Sequence, residues 1–249
     1  MTRNTALHHS PSTGPLWASI EDALRSHLGA DQSVARQEAI AVPETVSDRC
    51  GRFLGLLIGT AHITTTPEQL EVSCESTLHA EEVAGHAAEL FGVTPTIKAN
   101  GSRWQVSITS TPLVALLTEW FGLQSKTEET TVPGAILRSP RSVVQAFMSG
   151  LFDAGGETDD DGVTLHRVNE AVSKTVQLLL ANVGVLSHRQ QQTDGSYQIH
   201  LSGRSVTAFD ERVGFQSTEK NASLQAYIEE YGQFAVEEWS DTIEHIELG

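Results

Sequence analysis

An internal duplication restricts the fold of this chain more than any other feature of its sequence. The segment RFLGLLIGTAHI (52–63) resembles AFMSGLFDAGGE (146–157): an aromatic residue, a Gly-Leu pair, a further apolar residue, then glycine and small residues. Three more landmarks follow in the same order. ELFGV (89–93) matches ANVGV (181–185), WQVSI (104–108) matches YQIHL (197–201), and FGLQS (121–125) matches VGFQS (213–217). Counted from Gly55, the positions Gly92, Trp104 and Gly122 lie 37, 49 and 67 residues on; counted from Gly150, Gly184, Tyr197 and Gly214 lie 34, 47 and 64 residues on. Landmarks that keep their order with so little drift define two copies of one supersecondary unit.

The patterning inside each copy predicts its elements. Residues 47–59 form a mostly apolar helix ending at Gly59, and 141–154 its counterpart, ending at Gly155 and Gly156. Leu70, Val72 and Cys74 alternate with Glu71, Ser73 and Glu75, which predicts a strand over 69–75; Val163 and Leu165 point to its twin. Apolar residues at helical spacing (Val83, Ala87, Leu90; Val172, Val176, Leu179, Val183) predict helices from His79 to Phe91 and from Asn169 to Val183. Strands follow at 93–98 and 103–109, and at 185–192 and 196–202, with Gly101 and Asp194-Gly195 at the hairpin turns. A last helix, 112–121 or 205–213, closes each copy. The organisation expected is an N-terminal flank (1–41), a first repeat (42–134), a second repeat (135–221) and an acidic tail (222–249). Within the flanks, 1–14 reads as disordered. Residues 15–29 read as an amphipathic helix with Trp17, Ile20, Leu24 and Leu28 on one face, available to a protein partner, and 222–247 as a solvated, Glu-rich helix.

Composition excludes several classes. Cys50 and Cys74 make neither a disulfide framework nor a paired metal motif and read as reduced, packed thiols of a cytoplasmic protein. No apolar run reaches the length of a membrane span, and MTRNTALHHSPSTGPL has no apolar signal core. The ten histidines show no metal-ligand spacing, and there is neither a phosphate-cradling glycine loop nor a nucleophile elbow. Charge is the odd feature. Sixteen Lys plus Arg stand against 32 Asp plus Glu, a net charge of −16, and the lysines are Lys98, Lys126, Lys174 and Lys220 alone. Such a balance fits a high-salt cytoplasm, where screening removes mutual repulsion between carboxylates, or a protein that avoids nucleic acid; composition does not separate the two. It does count against a simple basic DNA-binding patch.

The motifs make the resemblance specific. VPETVSDRCGRFLGLLIGTAHI (42–63) and VPGAILRSPRSVVQAFMSGLFDAGG (132–156) resemble the approaches to the two signature helices of the LAGLIDADG homing endonucleases of the DOD, intein-like type, and with the other landmarks the resemblance covers 42–221. It implies an α+β fold of two pseudo-symmetric αββαββα units. Each unit carries a twisted antiparallel sheet, and the signature helices pair along a pseudo-twofold axis through Gly55, Gly59, Gly150 and Ala154, whose small size permits close approach. It further implies a monomer whose paired sheets straddle double-stranded DNA. Strand parity then points Trp104, Val106, Ile108, Tyr197, Ile199 and Leu201 inward, and Gln105, Ser107, Thr109, Gln198, His200 and Ser202 toward DNA. Thr94, Thr96, Lys98, His188, Gln190 and Gln192 join that face by the same parity, with Arg103 and His166 beside them. Such side chains suit base edges and phosphates; each is equally an ordinary solvated polar residue. Glu71 and Glu75 fall on the same face and oppose it.

Members of the family cut DNA with one acidic residue at the end of each signature helix, and a divalent ion such as Mg²⁺ held between them. In this sequence those positions are Thr60 and Gly155, so neither catalytic acid is intact and no metal site is expected. Asp153 stands two positions earlier, where the resemblance implies a brace for the helix end. Asp153 and Glu157 are the carboxylates from which cleavage could be rescued, with the run Asp159-Asp160-Asp161 just beyond. Lys126 and Lys220, after FGLQS and VGFQS, resemble the basic residues that flank the family's active sites, and are as readily ordinary surface lysines. An intein requires a nucleophile at its start and an Asn at its end; Met1, the final Glu-Leu-Gly and the short leader point instead to a free-standing protein. The reading expected is a degenerate, double-stranded-DNA-binding, regulatory protein that does not cleave. The rivals are an active Mg²⁺-dependent endonuclease with displaced ligands, and an acidic protein-interaction module on the same fold.

Overall fold

The computed structural model describes residues 40–60, 63–66, 68–123 and 130–231. The first unit opens with α1 (Asp48–Gly59), started by Ser47, whose hydroxyl accepts from the Cys50 N–H. Next come β1 (Ile63–Thr65), β2 (Gln69–Cys74), α2 (Thr77–Phe91), β3 (Thr96–Asn100) and β4 (Arg103–Thr109). A short α3 (Thr111–Ala115) then runs into a π-type turn over Leu116–Trp120. The second unit repeats the order: α4 (Gly134–Leu137), α5 (Arg141–Gly155), β5 (Gly156–Asp159), β6 (Gly162–Val168), α6 (Glu170–Asn182), β7 (His188–Gln191), β8 (Tyr197–Leu201) and α7 (Arg204–Arg212). It is followed by α8 (Thr218–Tyr231). Both sheets are antiparallel with the same strand order, β1-β2-β4-β3 and β5-β6-β8-β7. The duplication read from sequence is therefore a duplication of topology.

What joins the units is the face between α1 and α5. A Cβ built on Gly55 would lie 2.0 Å from the Phe147 carbonyl oxygen, and one on Gly150 would lie 2.3 Å from that of Arg52. Gly51 faces the Val143 carbonyl and Gly59 that of Leu151 in the same way, at 2.6 and 2.4 Å. Backbone meets backbone along the pseudo-twofold axis, and only glycine fits. Each sheet buries one face: Leu70, Val72, Val106 and Ile108 in one unit, Val163, Leu165, Ile199 and Leu201 in the other. The opposite face stays polar.

Several elements differ from their sequence-based bounds for local reasons. Strand β3 begins at Thr96 rather than 93, because Pro95 donates no ladder hydrogen bond, and Thr94 is left exposed ahead of the strand. Strand β7 starts at His188 rather than 185, after Gly184 at φ 80°. Helix α1 is stopped by Thr60 in extended conformation, so Gly59 is a packing glycine and not a cap. The helix expected to begin at 222 begins at Thr218 and is not merely solvated, since Leu224 and Tyr227 are buried. Strands β1 and β5 are too short to show a period in the sequence. The amphipathic segment 15–29, Lys126 and the end of the tail lie outside the described residues.

Candidate nucleic-acid interface

The ends of α1 and α5 lie side by side: a Cβ on Gly155 would be 2.7 Å from the Gly59 carbonyl oxygen. Thr60 is buried there, and its hydroxyl donates back to the Leu56 carbonyl at 2.9 Å. Neither residue offers a carboxylate. Two oxygen ligands from these helix ends are what a divalent ion would need, and among the described residues no three His, Cys, Asp or Glu side chains group to hold one. Thr60 and Gly155 themselves supply neither of those two ligands.

Buried charge of another kind takes that region. Asp153 is buried and accepts from Nη2 of Arg52 at 2.7 Å, the Gln216 N–H at 3.0 Å and the Ser217 N–H at 3.2 Å. Arg52 itself is buried, donates to the Ser149 hydroxyl at 3.2 Å and is ion-paired through Nε with Glu82. Burial would raise the Glu82 carboxyl, but hydrogen bonds and charge from His86 and Arg52 outweigh it and hold it at about 2. Lys220 donates to the carbonyls of Asp153 (2.7 Å) and Gly156 (2.6 Å), closing the end of α5. Its ammonium is pushed down by burial, against the pull of Glu75, Asp153, Glu157 and Glu219. His79 is pushed down by burial too, with Glu82 opposing, and its Nε2 is buried without a hydrogen-bond partner. Asp153 and Lys220 are thus brought together as structural groups, while Glu157 stands apart on β5.

The polar sheet faces are organised by register. In the first unit Thr64, Glu71, Ser107 and Thr96 form one cross-strand row, and Ser73, Gln105 and Lys98 the next. Thr109 is exposed opposite Gln69, and Lys98 is exposed. Arg103 pairs with Glu75 at 3.7 Å, so one cation of the face is partly neutralised by a carboxylate of the same face. In the second unit Glu157, Thr164, His200 and His188 form a row, and Gln198 lies opposite Gln190. The Thr164 hydroxyl is 3.0 Å from His200 Nδ1. A bulge between Leu165 and Val168, with Arg167 at φ 53°, brings His166 Nδ1 within 2.9 Å of Gln198 Nε2. Gln192 donates to Gln198 Oε1 at 3.0 Å. Ser202 follows β8 and leads into α7 instead of extending the strand.

Sequence reasoning missed Thr164, Arg52 and Glu82. Thr164 sits in a run of buried neighbours without clear alternation. Arg52 did leave a signal: it is the one charge flanked on both sides by the apolar signature helix, in register to face Asp153.

Residues 142–214 match the LAGLIDADG-like domain. The second unit is thus similar to the LAGLIDADG family. A DNA polymerase of Thermococcus sp. (strain GE8) is 24% identical over 230 residues, 85% of this chain and 13% of that protein. The DNA polymerase II large subunit of Haloquadratum walsbyi is 23% identical over 186 residues, 65% of this chain and 8% of that protein. The chain thus spans only a small part of the length of these relatives. In structure it is similar to the homing endonuclease I-DmoI in complex with DNA and Mn (TM-score 0.55, 19% identical, 68% of this chain and 98% of that one). It is similar also to I-WcaI bound to its DNA recognition sequence (TM-score 0.51, 12% identical, 72% and 87% covered). These likenesses are of fold.

Proposed function

We propose that this protein binds double-stranded DNA across its two polar sheet faces without cutting it, in a regulatory role. The observation that carries the reading is the closure of the two signature helices on each other. Gly155 lies against the Gly59 backbone and Thr60 is turned back onto its own helix, so neither of these two positions carries a carboxylate, while two register-matched polar faces remain. The solved relatives that were crystallised on DNA share the fold that presents such faces. Glu157, one candidate for a displaced ligand, is engaged with His166 at 2.6 Å. The test is duplex binding from a library drawn from the protein's own genomic neighbourhood, in KCl buffer, with a plasmid-nicking assay containing Mg²⁺ alongside. Retention of duplexes with no nicks is expected. A metal-dependent cut that is lost in Glu157→Ala or Asp153→Ala would show a working nuclease, and the absence of any duplex binding would favour the protein-interaction module.

A further inference from the structure

We propose that Gln198 is the base-reading residue of the second sheet, selecting adenine, and that Glu157 and His166 are positioning residues that fix which way its amide points. The proposal rests on the DNA-binding reading above. An ionised Glu157 accepts hydrogen bonds and donates none. Its Oε1 lies 2.6 Å from His166 Nε2, off the ring N–H axis, so it acts on the ring mainly by charge and favours the proton on Nε2. Nδ1 of His166 then carries a lone pair, which accepts from Gln198 Nε2 at 2.9 Å. Gln198 Oε1 is left to accept from Gln192 Nε2 at 3.0 Å. The two amide hydrogen bonds run in one order, from Gln192 to Gln198 to His166, with the Glu157 carboxylate beside the far side of the ring. Turning the Gln198 amide over would set its oxygen against the His166 lone pair and its nitrogen against the Gln192 N–H, so the relay excludes the flip.

Gln198 keeps one unused hydrogen on Nε2 and one unused lone pair on Oε1. A donor beside an acceptor matches adenine, which offers N7 as acceptor and N6–H as donor in the major groove. Guanine offers two acceptors there and opposes the carbonyl oxygen. The first unit supplies an internal comparison. Gln105 holds the equivalent place in WQV against YQI, but the residue opposite it is Ser73, the β2–β4 ladder runs without a bulge, and its amide is met by Asn100 Nδ2 at 3.4 Å. Among the described residues no imidazole or carboxylate is hydrogen-bonded to the Gln105 amide in this way. Adenine selection is therefore sharp in one arm of the target and loose in the other.

Two measurements test this on the full chain. In DNA-free protein labelled with ¹⁵N histidine, His166 should show the Nε2–H tautomer, and Glu157→Ala should let the two tautomers mix; an Nδ1–H ring in the native protein overturns the relay whatever the DNA result. Selection from a randomised duplex library should give a site with adenine at one position, preferred about tenfold, the size expected of a bidentate pair. Gln198→Ala should abolish that preference. Glu157→Ala should weaken it without lowering affinity for the other sequences, whereas a purely structural role would lower affinity for all sequences alike. Gln105→Ala should leave it intact. A defined site whose base preferences none of these variants alters overturns the proposal. If the native chain enriches no duplex, the DNA-binding reading falls, and adenine selection falls with it, while the tautomer measurement still reports on the relay.

Discussion

Arg52 shows how a single charge can be held inside the paired helices. A guanidinium inside an apolar helix costs several kcal/mol unless its donors are met by charge. Here they are met by Glu82 on its own unit and by Asp153 and Ser149 on the other. The same residue therefore ties the two units together at the ends of the paired helices. Acid should expose this dependence. The Glu82 carboxyl titrates at about 2 in the folded chain against an ordinary 4.5, because His86 and Arg52 overcome the opposing effect of burial. A depressed folded value means that its contribution is complete above pH 4.5 and is lost as pH falls through about 2. The urea midpoint of the native chain should therefore drop more steeply over that interval than the midpoint of Glu82→Gln. Parallel curves would show that Glu82 does not hold the network.

At the scale of elements, the α1–α5 face predicts opposite outcomes for one kind of substitution. Gly55→Ala or Gly150→Ala drives a methyl into a backbone carbonyl, which has no rotamer to yield, so the helices must part. A loss of about 3 kcal/mol is expected. Gly85→Ala, within α2 and with nothing inside 4 Å of the new Cβ, should gain roughly 0.5–1 kcal/mol from helix propensity alone. Urea denaturation of the three variants checks both signs, and a loss for Gly85→Ala equal to that for Gly55→Ala would place the special packing elsewhere. The contrast also marks what the sequence could show. The long helices, β2, β4, β6 and β8 were legible because apolar period and turn glycines are local properties. The three residues of β1 and the four of β5 carry no period. The π-type turn after α3 involves the Thr118 hydroxyl bonding back to the Val114 carbonyl, which composition does not announce. That the two signature helices end at Thr60 and Gly155 was readable from the motif alone. The Arg52–Asp153 pair, 101 residues apart, and the Glu157–His166 pair across a hairpin needed the strands and helices to be placed first.

For the whole molecule the governing quantity is the net charge of −16 on a chain proposed to bind a polyanion. Proteins that hold DNA by many lysine and arginine contacts release a counterion per phosphate, and their affinity falls steeply with salt. The described faces of this chain offer few such contacts: Lys98 is exposed, Arg103 is shared with Glu75, and the second face presents mostly imidazoles and amides. Salt also screens the repulsion between the acidic body and the duplex, which works in the opposite direction. The expected result is a weak dependence, with a slope of log affinity against log KCl of about 2 or less in magnitude, set by the few phosphate contacts. Over the same range the urea midpoint should rise, because screening relieves repulsion among the carboxylates within the folded chain. Fluorescence anisotropy on the selected duplex measures the first and denaturation the second. A slope of about 6 or more would mean that phosphate neutralisation by residues beyond these faces dominates binding. The register-matched amides and imidazoles would then be bystanders, and recognition would have to be sought on another surface.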